Sequence, residues 1–245
     1  ITKMIKENNF HKKAVFHGSA RADSVDEDIV RACKEVNFVF LGVGVETHSD
    51  RLLKVLKKNE TAAQIRTAVE LIAKYDIMTT TGLIFGIPEQ TRKDRYDTIK
   101  YALDLPIDNT RFNTIVPYPG TELYDIAVKE GRLNKKENYY NFNVQYYLFG
   151  NDIPYVPKGA DKFELIFDTM WANIRFYLSI KKLKRFRKSP YAGGVTIHIP
   201  KKISISNYIV FLKFSVLVLK RFVEIGVIVC IRTILKKIKL LKEEM

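Results

Sequence analysis

Two glycines and an acid close an apolar strand in the stretch Gly82-Leu83-Ile84-Phe85-Gly86-Ile87-Pro88-Glu89. The β-formers Met78-Thr79-Thr80-Thr81 lead into it, and Thr91 can open a helix after it. Gly82 and Gly86 remove side chains where a ligand would approach the backbone. Pro88 stops the strand, because it has no amide proton for the ladder. A strand end of this kind, just before a helix, is where α/β proteins bind ligands. Three further strand ends carry polar groups. The apolar run Phe38–Val45 delivers Glu46, followed by Thr47, His48 and Ser49. Glu46 either faces a ligand or caps nearby backbone at the next turn. Arg21 and Asp23 follow a strand at 13–20, and Pro117-Tyr118-Pro119-Gly120 stops one at 110–116.

The elements that must position these groups alternate regularly. Ser24 with Glu27, Thr61 with Gln64 and Thr91 with Asp94 have the spacing of capping boxes, each opening a helix. Val25, Ile29, Ala32, Cys33 and Val36 fall on one face of the first of these helices. Ile65, Ala68, Val69, Ile72 and Ala73 line the second, and Tyr96, Ile99 and Leu103 the third. A short helix spans 51–58, and Thr121 caps another that Gly131 closes. Residues 14–131 thus hold four β-then-α units, which implies parallel strands with right-handed crossovers. Four units are half of an eight-unit barrel or part of an open sheet. The expected class is α/β, with a helical, basic and apolar C-terminal extension. The expected organisation is 1–131 for the strand–helix domain, 132–190 for loops and a helix over 161–183 with Phe163, Ile166, Phe167, Met170, Ile174 and Tyr177 inward, and 191–245 for a tail.

Charge divides the chain in the same way. Residues 1–131 contain 19 Lys and Arg against 19 Asp and Glu, while residues 132–245 contain 22 against 8 and so supply the whole net +14. Any anionic partner belongs to the second half. Lys181–Lys188 has six basic residues in eight, as expected for a solvated helix end, an anionic membrane surface or nucleic acid. Charge alone supports the nucleic-acid reading, which is disfavoured. Residues 206–241 are strongly apolar, but Lys213, Lys220, Arg221, Glu224 and Arg232 interrupt them before a spanning length of about 20 residues is reached. They read as an amphipathic helix that packs on the domain or lies in a membrane interface, so peripheral membrane contact through 181–241 is an expectation. Cys33 and Cys230 form neither a disulfide framework nor a four-ligand metal site, and Cys33 falls on a helix's core face. A reducing, cytoplasmic setting follows, and no signal peptide opens the chain.

The four strand-end stretches, Arg21-Ala22-Asp23, Gly42-Val43-Gly44-Val45-Glu46, Gly82 to Glu89 and Pro117-Tyr118-Pro119-Gly120-Thr121, occur in the order found in the radical S-adenosylmethionine (SAM) superfamily. Together they resemble the later part of its domain, closest to the subgroup with an upstream cobalamin-binding domain. Gly82 to Glu89 fits the pattern G-x-I-x-G-x-x-E at every fixed position. The resemblance implies a partial parallel (β/α) barrel, of which the present strands are the third to sixth, with SAM across their carboxyl ends. It implies that Glu46 contacts the ribose or methionine part, that Gly82, Ile84 and Gly86 face adenine, and that Glu89 holds the following loop. It places Pro117 and Tyr118 beside the adenine, and Arg21 with Asp23 toward the SAM carboxylate or the substrate. An acid can accept ribose hydroxyls or the ammonium, and side-chain-free glycines let a flat base reach backbone amides.

The superfamily's cluster motif, C-x3-C-x2-C, is absent from this sequence. A chain lacking its N-terminal part, with cobalamin domain, first two strands and cluster loop, accounts for this; a degenerate homologue is the alternative. The resemblance therefore implies SAM, a [4Fe–4S] cluster and cobalamin for an intact enzyme. Such an enzyme would cleave SAM reductively and carry out radical methyl transfer or rearrangement on a small-molecule or lipid-like substrate. This chain alone is expected to be inactive, with no catalytic or metal-binding residue assigned. The rival reading is a non-catalytic barrel fragment that serves as a membrane- or protein-interaction module.

Overall fold

A computed structural model of the 245-residue chain describes residues 1–182, 185 and 205–243, with the side chains of 215–237 in the last helix. The described residues fall into two units. The first takes residues 1–113 and the described residues from Ala172 to 185, and the second takes residues 114–171 and the last helix.

In the first unit a short helix, α1 (Thr2–Glu7), precedes four strands, β1 (Phe16–Ala20), β2 (Phe38–Val43), β3 (Met78–Phe85) and β4 (Asn109–Thr114), which form one sheet in the order β1-β2-β3-β4. The pairings of β1 with β2 and of β2 with β3 are parallel. The helices α2 (Glu27–Glu35), α3 (Asp50–Val55), α4 (Ala62–Lys74) and α5 (Arg92–Asp104) provide the crossovers. Val30, Cys33, Ile65, Val69, Ile72, Ile99 and Ala102 from these helices are buried, as are Leu41, Val43, Leu83 and Phe85 from the strands. This is the expected α/β class, a parallel sheet consistent with a partial barrel, with a helical C-terminal part.

Local chemistry sets the helix starts. Thr61–Gln64 and Thr91–Asp94 form both reciprocal bonds of the capping box. The expected box at Ser24 does not form. Ala22–Ser24 makes a single 3-10 turn, the Ser24 hydroxyl donates to the Arg21 carbonyl at 2.8 Å, and Asp26 caps α2 by accepting from the Ile29 amide at 2.7 Å. The later start turns Ile29 outward and puts Val30 in the core. Tyr96 of α5, expected inside, is exposed, and Thr98 and Ala102 share the inner face with Ile99.

Among the described residues, strand β4 has no further strand beyond it in the sheet. The Asn173 side chain meets this edge, donating to the Phe112 carbonyl at 2.9 Å and accepting from its amide at 3.2 Å. Both exposed ladder groups of one edge residue are thereby paired. Asn173 lies on α7 (Lys162–Tyr177), whose Ile166, Met170, Ala172 and Phe176 are buried and whose Tyr177, expected inside, is exposed.

In the second unit α6 (Glu122–Lys129) starts at Thr121 and ends before Gly131, whose φ of 63° suits glycine. The Asn- and Tyr-rich segment after it is stitched by Asn141. This buried amide donates to the carbonyls of Asn134 and Asp152 at 2.6 and 2.8 Å and accepts from the Lys136 amide at 3.1 Å. The last helix, α8 (Ile205–Glu243), packs through Phe222, which stacks on Phe167 and Trp171 with ring centroids 5.0 and 6.2 Å apart. The sequence-based boundary at 190 and most of the basic run 181–188 lie outside the described residues. Among the described residues, no helix is long and apolar enough to cross a membrane.

Candidate functional site

The carboxyl ends of β2 and β3 are joined beyond their regular pairing. The Glu46 amide donates to the Gly82 carbonyl at 3.0 Å, and the Ile84 amide donates to the Glu46 carbonyl at 2.8 Å. One step earlier the Val45 amide reaches the Thr81 hydroxyl at 3.2 Å. Glu46 takes a left-handed φ of 60°, uncommon for a residue with a Cβ and typical of sites held by their surroundings. Glu46, Gly82 and Ile84, assigned from two separate strand-end motifs, thus sit side by side.

Gly82 opens into a cavity of ≈ 410 Å³ on the sheet face. A Cβ built on Gly82 would meet nothing within 4 Å, so the space beside it is free for a ligand. The cavity is lined by His17 and Ser19 of β1, Thr80 of β3, and Asn109, Arg111 and Asn113 of β4. The Asn113 side-chain oxygen is buried with no hydrogen-bond partner, an open acceptor at the cavity wall. Strand periodicity explains the lining, since residues two apart face the same side. These polar residues were missed in the sequence, although His17-x-Ser19 and Asn109-x-Arg111-x-Asn113 are period-two polar patterns within strands.

The loop after β3 is held mainly by Gln90. Its carbonyl accepts from the Gly86 amide at 2.8 Å, and its amide donates to the Ile84 carbonyl at 3.3 Å. Gly86 has φ 85°, a conformation glycine adopts at least cost. Glu89, to which the resemblance gave the loop, has an exposed carboxylate 3.7 Å from Arg51, and its carbonyl accepts from Arg51 at 3.3 Å. Replacing Gln90 by Ala removes both side-chain partners and is expected to cost about 1–3 kcal/mol. Glu at this position keeps the acceptor but sets a buried carboxylate against the Ile84 carbonyl, so its cost should be larger. Denaturant midpoints of the two variants check this order; equal losses would count against it.

A charged cluster flanks Glu46. The Lys58 ammonium donates to the Gly44 carbonyl at 2.8 Å and lies 3.5 Å from Glu46 and 3.1 Å from Glu60. Arg21 lies 3.6 Å from Glu60 and 2.7 Å from Asp23. Burial pushes the Glu46 carboxyl up, and the neighbouring Lys58 opposes this. The fork between Arg21 and Asp23 holds the Asp23 carboxyl below its usual range. Arg21 is therefore placed beside Glu60 and Asp23, at the end of β1. Pro117, buried, and Tyr118, half exposed, belong to the second unit, where the Tyr118 carbonyl accepts from Thr121.

The residues present fit SAM: an acid, an open glycine edge and a polar cavity adjoin one another. They do not fit an iron–sulfur cluster. Cys33 is buried in α2 and Cys230 is exposed on α8. Among the described residues, no group of three or more His, Cys, Asp or Glu side chains is placed to hold a metal ion.

A parallel sheet with a polar cavity on its face and an acid at the carboxyl end of β2 is the arrangement of a barrel-type α/β fold. Residues 1–102 match the model described as the radical SAM superfamily. Among sequence relatives, an uncharacterized methyltransferase of Pyrococcus horikoshii is 33% identical over 115 residues, covering 47% of this chain and 25% of the relative. A tRNA-2-methylthio-N(6)-dimethylallyladenosine synthase of Vibrio cholerae is 32% identical over 108 residues, covering 43% and 23%. The chain spans about a quarter of the length of these curated relatives. Among solved structures, the radical S-adenosylmethionine methyltransferase TsrM of Kitasatospora setae, with cobalamin and a [4Fe–4S] cluster bound, aligns at TM-score 0.48 and 16% identity, covering 56% of this chain and 28% of that one.

Proposed function

We propose that this chain forms the SAM-facing wall of a radical SAM enzyme that transfers a methyl or methylthio group. The observation that carries the reading is the backbone pairing of Glu46 with Gly82 and Ile84 beside the open cavity. When bound, SAM would supply a sulfonium methyl group and an adenosyl group for this chemistry. Glu46 accepts ribose hydroxyls or the ammonium, while Gly82, Ile84 and Gly86 offer adenine an apolar edge with backbone amides. Arg21 faces the SAM carboxylate or the substrate, and Gln90 with Glu89 fixes the loop. His17, Asn109, Arg111 and Asn113 line the side from which a polar substrate group would be held. The names of the two sequence relatives support methyl-type transfer. Cobalamin dependence rests on the sequence resemblance, and no residue of this chain is assigned to cobalamin or to the cluster. The rival reading, a non-catalytic module, finds no support among the sequence relatives.

Titrating SAM into isotopically labelled chain tests the binding claim. Amide shifts are expected at Glu46, Gly82, Ile84 and Gly86. Gly82→Val should abolish them while leaving the rest of the sheet spectrum in place, because its side chain enters free space and fills the adenine position. Saturating SAM without shifts at these amides, or shifts unaffected by the valine, would refute the assignment.

A further inference from the structure

The last helix shows two apolar faces. One is bound to its own unit through Phe222 and the fully buried Ile225, with Arg232 paired to Asp161 at 2.8 Å and Arg221 to Asn151. These contacts fix which side points outward. On that side Val216, Leu219, Val223, Val227, Ile231 and Ile234 are each more than half exposed. Their spacing of three and four residues makes one continuous stripe about 27 Å long at 1.5 Å per residue. A stripe of this length and composition is unusual on a surface that meets only water.

Charge narrows the occupant. Residues 205–243 contain eight Lys and Arg against two Glu. Lys220, which pairs with Glu224 at 4.0 Å, flanks the stripe and is mostly exposed, and Lys236 and Lys237 near its end are exposed too. An apolar stripe edged by lysines matches a surface that is apolar within and anionic at its rim. An anionic bilayer interface offers both along the whole length of a helix lying in its plane, with lysine stems reaching back to the headgroups. We propose that α8 docks the chain on an anionic membrane surface through the Val216–Ile234 stripe, parallel to the membrane plane and without crossing it. This is independent of SAM binding.

The test is co-sedimentation of the full chain with phosphatidylcholine vesicles and with vesicles containing 30% phosphatidylglycerol. Partitioning is expected to be at least tenfold stronger on the anionic vesicles. Val223→Gln/Ile231→Gln should weaken it at least tenfold with unchanged circular dichroism, since both side chains project from the fold. Lys236→Glu/Lys237→Glu should weaken it by removing the charge arm while leaving the stripe. No binding to anionic vesicles, or binding that the glutamine pair leaves intact, overturns the proposal. So does a soluble dimer that the glutamine pair dissociates, because the stripe would then belong to a second copy.

Discussion

Lys58→Met is expected to cost about 3–5 kcal/mol, the cost of removing one partner of a buried ion pair. At this chain length that lowers the melting midpoint by roughly 2–4 °C per kcal/mol. The Glu60 side chain has no exposed surface, and neither of its oxygens has a hydrogen-bond partner. Its counter-charges are Lys58 at 3.1 Å, 16% exposed, and Arg21 at 3.6 Å, 58% exposed. Solvent screens Arg21 far more, so Lys58 is the main counter-ion. Methionine keeps the length and apolar stem but leaves Glu60 uncompensated. Glu60→Gln in the same chain should recover most of the loss, and a double-mutant cycle measures the coupling. A single-variant loss below about 1 kcal/mol would show that the pair is not a structural unit.

The same substitution has a pH signature through Glu46. Burial raises the Glu46 carboxyl in the folded chain, and Lys58 is the group that opposes this. A folded value above the unfolded one means that the favourable contribution is complete below the unfolded value and is lost as pH rises through the folded value. Without Lys58 the folded value rises further, so the deficit of the variant should shrink as pH falls from 7 toward 4.5. Denaturant titrations across that range, read as the difference between the two chains, check the direction.

The parts of this structure legible in the sequence are those fixed by neighbours in the chain. The Thr61–Gln64 and Thr91–Asp94 boxes need only three residues and a helix to follow, and both form. Ser24 with Glu27 has the same spacing, but Asp26 also suits a cap and takes the position, which moves the helix start. Glu46 and Gly82 were legible as strand ends. That Glu46 pairs its backbone with Gly82 and Ile84 was not, because this depends on how far β2 and β3 slide past one another. Gln90 stood next to the glutamate of the motif and was passed over; only the loop's fold turns its amide back onto Gly86 and Ile84. On α8 the apolar residues wrap most of the helix, so no sequence pattern says which stripe packs. Phe167 and Trp171 decide it by receiving Phe222.

Raising the pH from 8 to 10.5 is expected to stabilise the chain by about 2–3 kcal/mol relative to Lys182→Met. Lys182 is buried, its ammonium donates to the Leu105 carbonyl, and it stands 5.1 Å over the Phe176 ring. Burial, reinforced by Lys181 and Arg185 and opposed by Asp108 and Asp104, brings it down from 10.5 to about 8. Between those values the unfolded chain binds more protons than the folded one, so stability climbs with pH, and above 10.5 it gains nothing more. Methionine has no proton to lose, while other lysines and tyrosines titrate in both chains and cancel in the difference. Parallel stability curves for the two chains would sink the assignment. The surrounding groups show which end of the sheet this is. Asp108 accepts from the Thr79 amide at 2.8 Å and pairs with Arg185 at 2.8 Å where β3 and β4 begin. In barrel-type folds the end where strands begin serves stability and the end where they finish serves chemistry. Lys182→Met should therefore alter the pH dependence of unfolding while SAM-induced shifts at Glu46 and Gly82 stay unchanged. Lys58→Met, at the other end, should disturb both.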